Sequence, residues 1–158
     1  MDQPPSRKRN RLENYDYSQP GAYLITICVD NRRQILGTVK AHEGTYATDL
    51  SPLGRQVETA VHGIDTHYEN VTVDAFSILP NHVHLLIRIR STNSPNPPSV
   101  SRIVKQMKES VTKASGERIW QKGFHDHVIR TDADYLDAWR YVTYNAAKWE
   151  VEGKPVKR

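Results

Sequence analysis

Apolar positions recur along this chain in two rhythms, alternation and helical spacing, and the switches between them predict its elements. "AYLITICV" (22–29) is β-branched and aromatic and predicts a strand. "RQILGTVKAHEGTYATDL" (33–50) reads as a small hairpin turning near Glu43-Gly44. In "SPLGRQVETAVHGI", Ser51 is an N-cap and Pro52 the first helical residue. Leu53, Val57, Ala60, Val61 and Ile64 follow at helical spacing, so a helix is expected over about 51–67. "NVTVDAFSILP" (70–80) predicts a second long strand, Pro80-Asn81 a turn, and 82–90 a third strand antiparallel to it.

After a loop at 91–99, Val100, Ile103, Val104, Met107, Val111 and Ala114 form the apolar face of a second helix. "HDHVIR" (125–130) is a short strand. Thr131 and Asp134 open a helix over about 132–149 in capping-box fashion. The order is an α+β, ferredoxin-like βαββαβ pattern, an antiparallel sheet with helices, plus an inserted hairpin and a final helix. It fits one domain over 20–150, between a basic arm at 1–19 and a short tail at 151–158. The arm carries Arg7, Lys8, Arg9 and Arg11, and suits either a solvated tail or a phosphate contact.

The third strand, "ILPNHVHLLIRIR", holds the chemistry. Alternation puts Val83, Leu85, Ile87 and Ile89 on one face and His82, His84, Leu86, Arg88 and Arg90 on the other. Two imidazoles so placed can converge on a metal, or sit half buried with hydrogen-bond partners. The guanidiniums continue that face and can approach a phosphate. On the last helix, Tyr135, Trp139, Val142, Ala146 and Trp149 form the expected buried stripe. Tyr141 and Asn145, at i and i+4, lie together on its flank with Ala138 and Lys148, and Tyr144 points the opposite way. An asparagine carbonyl suits a hard cation.

Composition narrows the context. The chain has 158 residues, is 25% charged and 37% hydrophobic, and carries a net charge of +4, which favours anionic partners. One cysteine, Cys28, excludes an internal disulfide framework and suits a reducing cytoplasm. No apolar run approaches the ~18 residues of a membrane span, and no secretory signal opens the chain.

Three ordered blocks, "LPNHVHLLI", "IWQKGFHDHVIR" and "YVTYNAAKW", resemble the signatures of the REP-associated tyrosine transposases. These belong with the single-tyrosine HUH (His, hydrophobic, His) transposases of small insertion sequences. The resemblance runs from about Tyr23 to Trp149 and includes "NRRQILG" and "LSPLGRQV". It implies a ferredoxin-like HUH endonuclease fold, with His82 and His84 as metal ligands, Tyr141 as the nucleophile and Asn145 as the third ligand. Asp126 and His127 match positions usually acidic and His, without an assigned role, and Trp120 and Gln121 match a block that anchors the helix-to-strand turn. Asn145-Ala146 stands where the family usually has Asn-Pro.

The implied activity is metal-dependent cleavage and rejoining of single-stranded, hairpin-containing DNA through a 5′-phosphotyrosine intermediate. A phenol titrates near ~10, so attack needs help. Mg²⁺ or Mn²⁺ fits two imidazoles and an amide oxygen. Arg32, Arg33, Arg88, Arg90, Lys105, Lys108 and Lys148 are candidates to hold the DNA backbone. The expected setting is the bacterial cytoplasm, as a nucleoid-associated activity, as monomer or homodimer. Two readings compete: a non-catalytic nucleic-acid-binding module on the same fold, and a zinc hydrolase completed by His125, Asp126 or His127.

Overall fold

The computed structural model describes residues 19–152. Apart from Gln19 and the end of the last helix, the arm expected at 1–19 and the tail expected at 151–158 lie outside them. Its elements are β1 (Gly21–Cys28), β2 (Gly37–His42), β3 (Thr45–Leu50), α1 (Pro52–His67), β4 (Val71–Leu79), β5 (His82–Ile89), α2 (Val100–Ser115), β6 (His125–Ile129), α3 (Asp132–Thr143) and α4 (Asn145–Glu152). Strands order as β4-β5-β1-β6, with every neighbour antiparallel. That is the split βαββαβ arrangement expected, with β2-β3 inserted as a separate hairpin. Glu43 and Gly44 both have positive φ (45° and 85°), the turn that matches the twist of a two-residue hairpin.

Alternation on the central strands makes two unlike faces. Tyr23, Ile25, Ile27, Val83, Leu85, Ile87 and Ile89 are at most 1% exposed and pack under α1 and α2, forming the main core. The opposite face presents Leu86 to Ala138 and Val142 of α3, with Leu24, Ala75, Ile129, Tyr135 and Tyr141 around them. Strand β4 keeps its phase through a bulge at Asp74, between the pairs Val73–Ile87 and Ala75–Leu86. With that residue inserted, Val71, Val73, Phe76 and Ile78 all meet the main core. Without it, Val73 and Phe76 would fall on opposite faces.

The last helix differs from expectation in two ways. It is not continuous over 132–149: Tyr144 leaves helical geometry (φ −104°, ψ 18°) and divides it into α3 and α4. The Asn145 side-chain Nδ2 donates to the Tyr141 carbonyl at 3.2 Å, so the amide competes locally for a helix acceptor. The buried stripe also rotates. Ala138 and Asn145 are buried, whereas Trp139 is 37% exposed and Ala146 only half-buried. A methyl at 138 lets α3 approach Leu86 closely; Trp139 instead turns outward, edge-on to Tyr144 with ring centroids 6.5 Å apart.

Helix α1 docks through its first turn. Ser51 Oγ accepts from the Gly54 N–H (3.0 Å) and donates to the Ile35 carbonyl (2.8 Å), while Ser51 N–H donates to Leu36 O (3.0 Å). A Cβ at Gly54 would drive into that Leu36 carbonyl, whereas one at Gly63, on the same helix, meets open space. Gly54→Ala is expected to cost about 2 kcal/mol or more. Gly63→Ala should gain about 0.5–1 kcal/mol from the better helix former. Urea unfolding of the two variants beside the parent checks both signs.

Candidate active site

Strand β5 and the α3-α4 break assemble the site. His82 and His84 are 4% and 1% exposed, so neither ring is solvated and each needs protein partners. Their rings meet edge-on with centroids 4.7 Å apart. His82 Nδ1 donates to Asn81 Oδ1 at 2.7 Å, which fixes the tautomer and leaves Nε2 as the basic nitrogen. Asn81 in turn donates from Nδ2 toward the Arg32 carbonyl at 3.5 Å. His84 Nδ1 lies 3.0 Å from Thr26 Oγ1, its cross-strand neighbour on β1. Oxygen partners at Nδ1 are what orients imidazoles that bind metal through Nε2.

Tyr141 packs its ring 4.9 Å from that of His84, and Trp149 lies 6.0 Å from His82. Asn145, 5% exposed, falls midway between them in sequence and bonds back to the Tyr141 carbonyl. Its Nδ2 is bonded to the Tyr141 carbonyl, so Oδ1 is the arm of the amide left for a cation. Lys148 Nζ lies 5.3 Å from the centre of the Tyr141 ring. The four residues singled out in sequence, His82, His84, Tyr141 and Asn145, are therefore neighbours. The donor set, two imidazoles and an amide oxygen, fits a divalent ion.

The seven basic candidates do not all gather there. Lys148 does. Arg32 and Arg33 follow the end of β1 beside the Asn81 turn, and Arg33 is paired to Asp30 at 2.8 Å. Arg88 and Arg90 share the histidine face, as expected, but both are engaged. Arg88 binds Asp74 Oδ2 through Nε and Nη2 (3.2 and 3.0 Å), and Arg90 reaches Thr72 Oγ1 and the Glu69 carbonyl. Lys105 and Lys108 lie on α2, on the far side of the sheet. Lys108 Nζ donates to the Gln121 and Gly123 carbonyls, closing the turn before β6, and burial followed by the charge of Arg118 lowers its pKa.

The "IWQKG" block anchors as expected: Val29 bridges Trp120, and Gln121 N–H donates to the Cys28 carbonyl at 2.8 Å. His127 is paired with Asp134 at 2.9 Å, tying β6 to the start of α3. Among the described residues, no three His, Cys, Asp or Glu side chains gather to hold a metal, so His125, Asp126 and His127 do not complete a zinc site with the β5 pair. The sequence reading missed Thr26, Asn81 and Asp74. Thr26 lay within reach, because pairing β1 with β5 puts it opposite His84.

Burial lowers the His82 pKa from 6.5 to about 4, so the folded protein holds this ring neutral, the form that binds metal. Unfolded, the same ring takes up a proton as the pH falls through 6.5. The unfolded state therefore binds more protons between those values, and stability should fall as the pH drops from 6.5 toward 4, by up to roughly 3 kcal/mol. Urea unfolding of metal-free protein across this range measures the slope, and His82→Gln should flatten it.

No protein-family model matches the chain. An uncharacterized protein of Haemophilus influenzae is 29% identical over 166 residues, covering 91% of this chain and 90% of its own. A second H. influenzae protein, provisionally named a REP-associated tyrosine transposase, is 28% identical over 150 residues, covering 87% and 77%. Among solved structures, a REP-associated tyrosine transposase bound to a REP hairpin matches with a TM-score of 0.65 at 22% identity, over 90% of this chain and 74% of that one. A provisionally named transposase from Deinococcus radiodurans matches with a TM-score of 0.50 at 14% identity, over 85% and 96%. Among the described residues no helix is long and apolar enough to cross a membrane. The resemblance read from the sequence holds across most of the chain: it is similar to the REP-associated tyrosine transposases in sequence and shares their mixed α/β fold with its antiparallel sheet.

Proposed function

We propose that this protein cleaves and rejoins single-stranded DNA beside a hairpin of the REP type, through a covalent phosphotyrosine. The observation that carries the reading is the contact of the Tyr141 ring with His84, with the buried Asn145 amide bonded to the Tyr141 carbonyl. Tyr141 Oη attacks a backbone phosphorus; the P–O3′ bond breaks; the phenol gives up its proton and the leaving oxygen gains one as a 3′-hydroxyl. One phosphodiester replaces another, so the reverse attack by a 3′-hydroxyl needs no nucleotide fuel.

His82, His84 and Asn145 would hold a Mg²⁺ or Mn²⁺ ion, which when bound supplies Lewis-acid polarisation of the phosphate. The chain's own residues do the rest. Asn81 and Thr26 fix the imidazoles, and Trp149 shields His82 from water. Lys148 puts positive charge beside the Tyr141 ring, where it would meet the incoming phosphate. Arg32 and Arg90 extend that charge along the DNA, with Arg88 and Arg33 sharing theirs with carboxylates. The REP-hairpin substrate is carried over from the similar solved complex.

Incubating the protein with Mn²⁺ and labelled hairpins bearing single-stranded flanks, then running a denaturing gel, tests this. A metal-requiring adduct is expected that disappears in Tyr141→Phe and persists in Tyr144→Phe, whose ring is 61% exposed. Salt-sensitive binding with no adduct on any hairpin would instead establish a binding module. Thr26→Val, which removes the oxygen facing His84 Nδ1, should weaken Mn²⁺ binding about 10–100-fold, read by titration calorimetry.

A further inference from the structure

The bulge in β4 does more than restore the phase of a strand. Asp74, the inserted residue, lies at the centre of a cluster on the face that α3 covers. Its Oδ2 accepts from the Tyr135 hydroxyl at 2.6 Å and from Arg88 Nε and Nη2, and its Oδ1 accepts from Thr72 Oγ1 at 3.2 Å. The Arg88 guanidinium also stacks over the Tyr135 ring, 5.1 Å from its centre. Bulges re-aim a side chain at the expense of a ladder position, and they recur beside functional sites. Here the side chain that is re-aimed is an acid, and the group it reaches is a phenol on the helix that carries Tyr141.

The bond to Tyr135 is short and charge-assisted, and Tyr135 is held from two directions, by the carboxylate and by the guanidinium above its ring. Burial first, then the hydrogen bond to Asp74 and its charge, raise the Tyr135 pKa, so the hydroxyl stays protonated and remains a donor. Tyr135 precedes Tyr141 by six residues, about 9 Å along the axis. Between them only Ala138 packs fully against the sheet, and a methyl group cannot fix how far a helix slides or turns. Beyond Tyr141 the helix breaks at Tyr144. Two polar contacts with direction tie α3 to the sheet: His127–Asp134, exposed at its first turn, and the part-buried Asp74 cluster at Tyr135, on the face that carries Tyr141.

We propose that Asp74, through Tyr135, is the positioning residue for Tyr141: it sets the axial position and rotation of α3 and so places the phenol over His84. The inference rests on the function proposed above. It also gives Arg88, on the histidine face of β5, a definite task in neutralising Asp74 and clamping the Tyr135 ring. A displacement of the reacting oxygen by about 1 Å can lower a rate on the order of 10²-fold while leaving substrate binding unchanged.

The test compares wild type, Tyr135→Phe and Asp74→Asn. Tyr135→Phe removes one hydroxyl and keeps the ring; Asp74→Asn keeps the shape and removes the charge, so a variant that fails to fold leaves the other. Two quantities are read: the single-turnover rate of the covalent adduct at saturating hairpin DNA, with the DNA Kd measured separately, and the NMR shifts of the His84 ring protons in metal-free protein. Those protons sense the Tyr141 ring current, since the two rings are 4.9 Å apart. The expected result is a rate about 10–100-fold lower with displaced His84 resonances, and a DNA Kd within about twofold of wild type for Tyr135→Phe and no weaker than wild type for Asp74→Asn, which leaves Arg88 unmatched. A rate at the wild-type level, or a rate loss with His84 resonances unmoved, overturns the proposal. If wild type forms no adduct, the proposed function fails by itself; the His84 resonances, which need no activity, still show whether Asp74 sets the helix.

Discussion

Two imidazoles buried on one face of a sheet set the terms for what surrounds them. At 4% and 1% exposure, His82 and His84 exchange solvent for protein, and every lost water contact needs a replacement. The sheet supplies part of it. Thr26 on β1 stands opposite His84, and Asn81, in the turn that starts β5, reaches back to His82. The remainder comes from above, from Tyr141 and Trp149. Covering the rings from above requires a helix, and covering both from one helix requires Tyr141 and Trp149 to reach two points along the strand. The break at Tyr144 falls between those two residues, in the segment that also delivers Asn145.

The fold and the four central residues were legible because both depend on unbroken periodicity. In β5 the alternation is clean, so the core face and the histidine face separate by position alone, and the pairings with β1 and β4 keep them separate. The i, i+4 relation of Tyr141 and Asn145 survives too, even though the two residues end up on different helical segments. The three-block resemblance implies roles for them, which no spacing argument could suggest.

What was not legible arises where periodicity is interrupted. A uniform 100° rotation per residue carries the apolar stripe through Trp139 and Ala146. The real stripe passes through Ala138 and Asn145, because α3 is oriented by a polar contact at Tyr135 and because its continuation is a separate segment. A Trp is expected inside on hydrophobicity, yet a close approach to Leu86 favours the smaller side chain one position away. In β4 the signal was present: "VTVDAFSIL" puts Val73 and Phe76 out of phase, and only an inserted residue reconciles them. Reading a strand strictly by alternation hides that residue, and the hidden residue is Asp74.

Charge shows a similar division. A net charge of +4 indicates an anionic partner and says nothing about where it sits. Once pairing is taken into account, the basic side chains fall into different classes. Lys108 ties down a turn on the far side of the sheet, Arg33 is matched by Asp30, and Arg88 is matched by Asp74. An arginine already bound to a carboxylate contributes little field at a distance, because the pair is close to neutral as seen from a Debye length away, about 8–10 Å. Lys148 instead lies directly against the Tyr141 ring, 5.3 Å from its centre. The chemistry at the site is therefore set less by overall basicity than by one unmatched-in-kind placement: a cation beside a tyrosine, above two histidines that burial keeps close to their neutral form at His82 and oxygen partners hold in orientation at both positions.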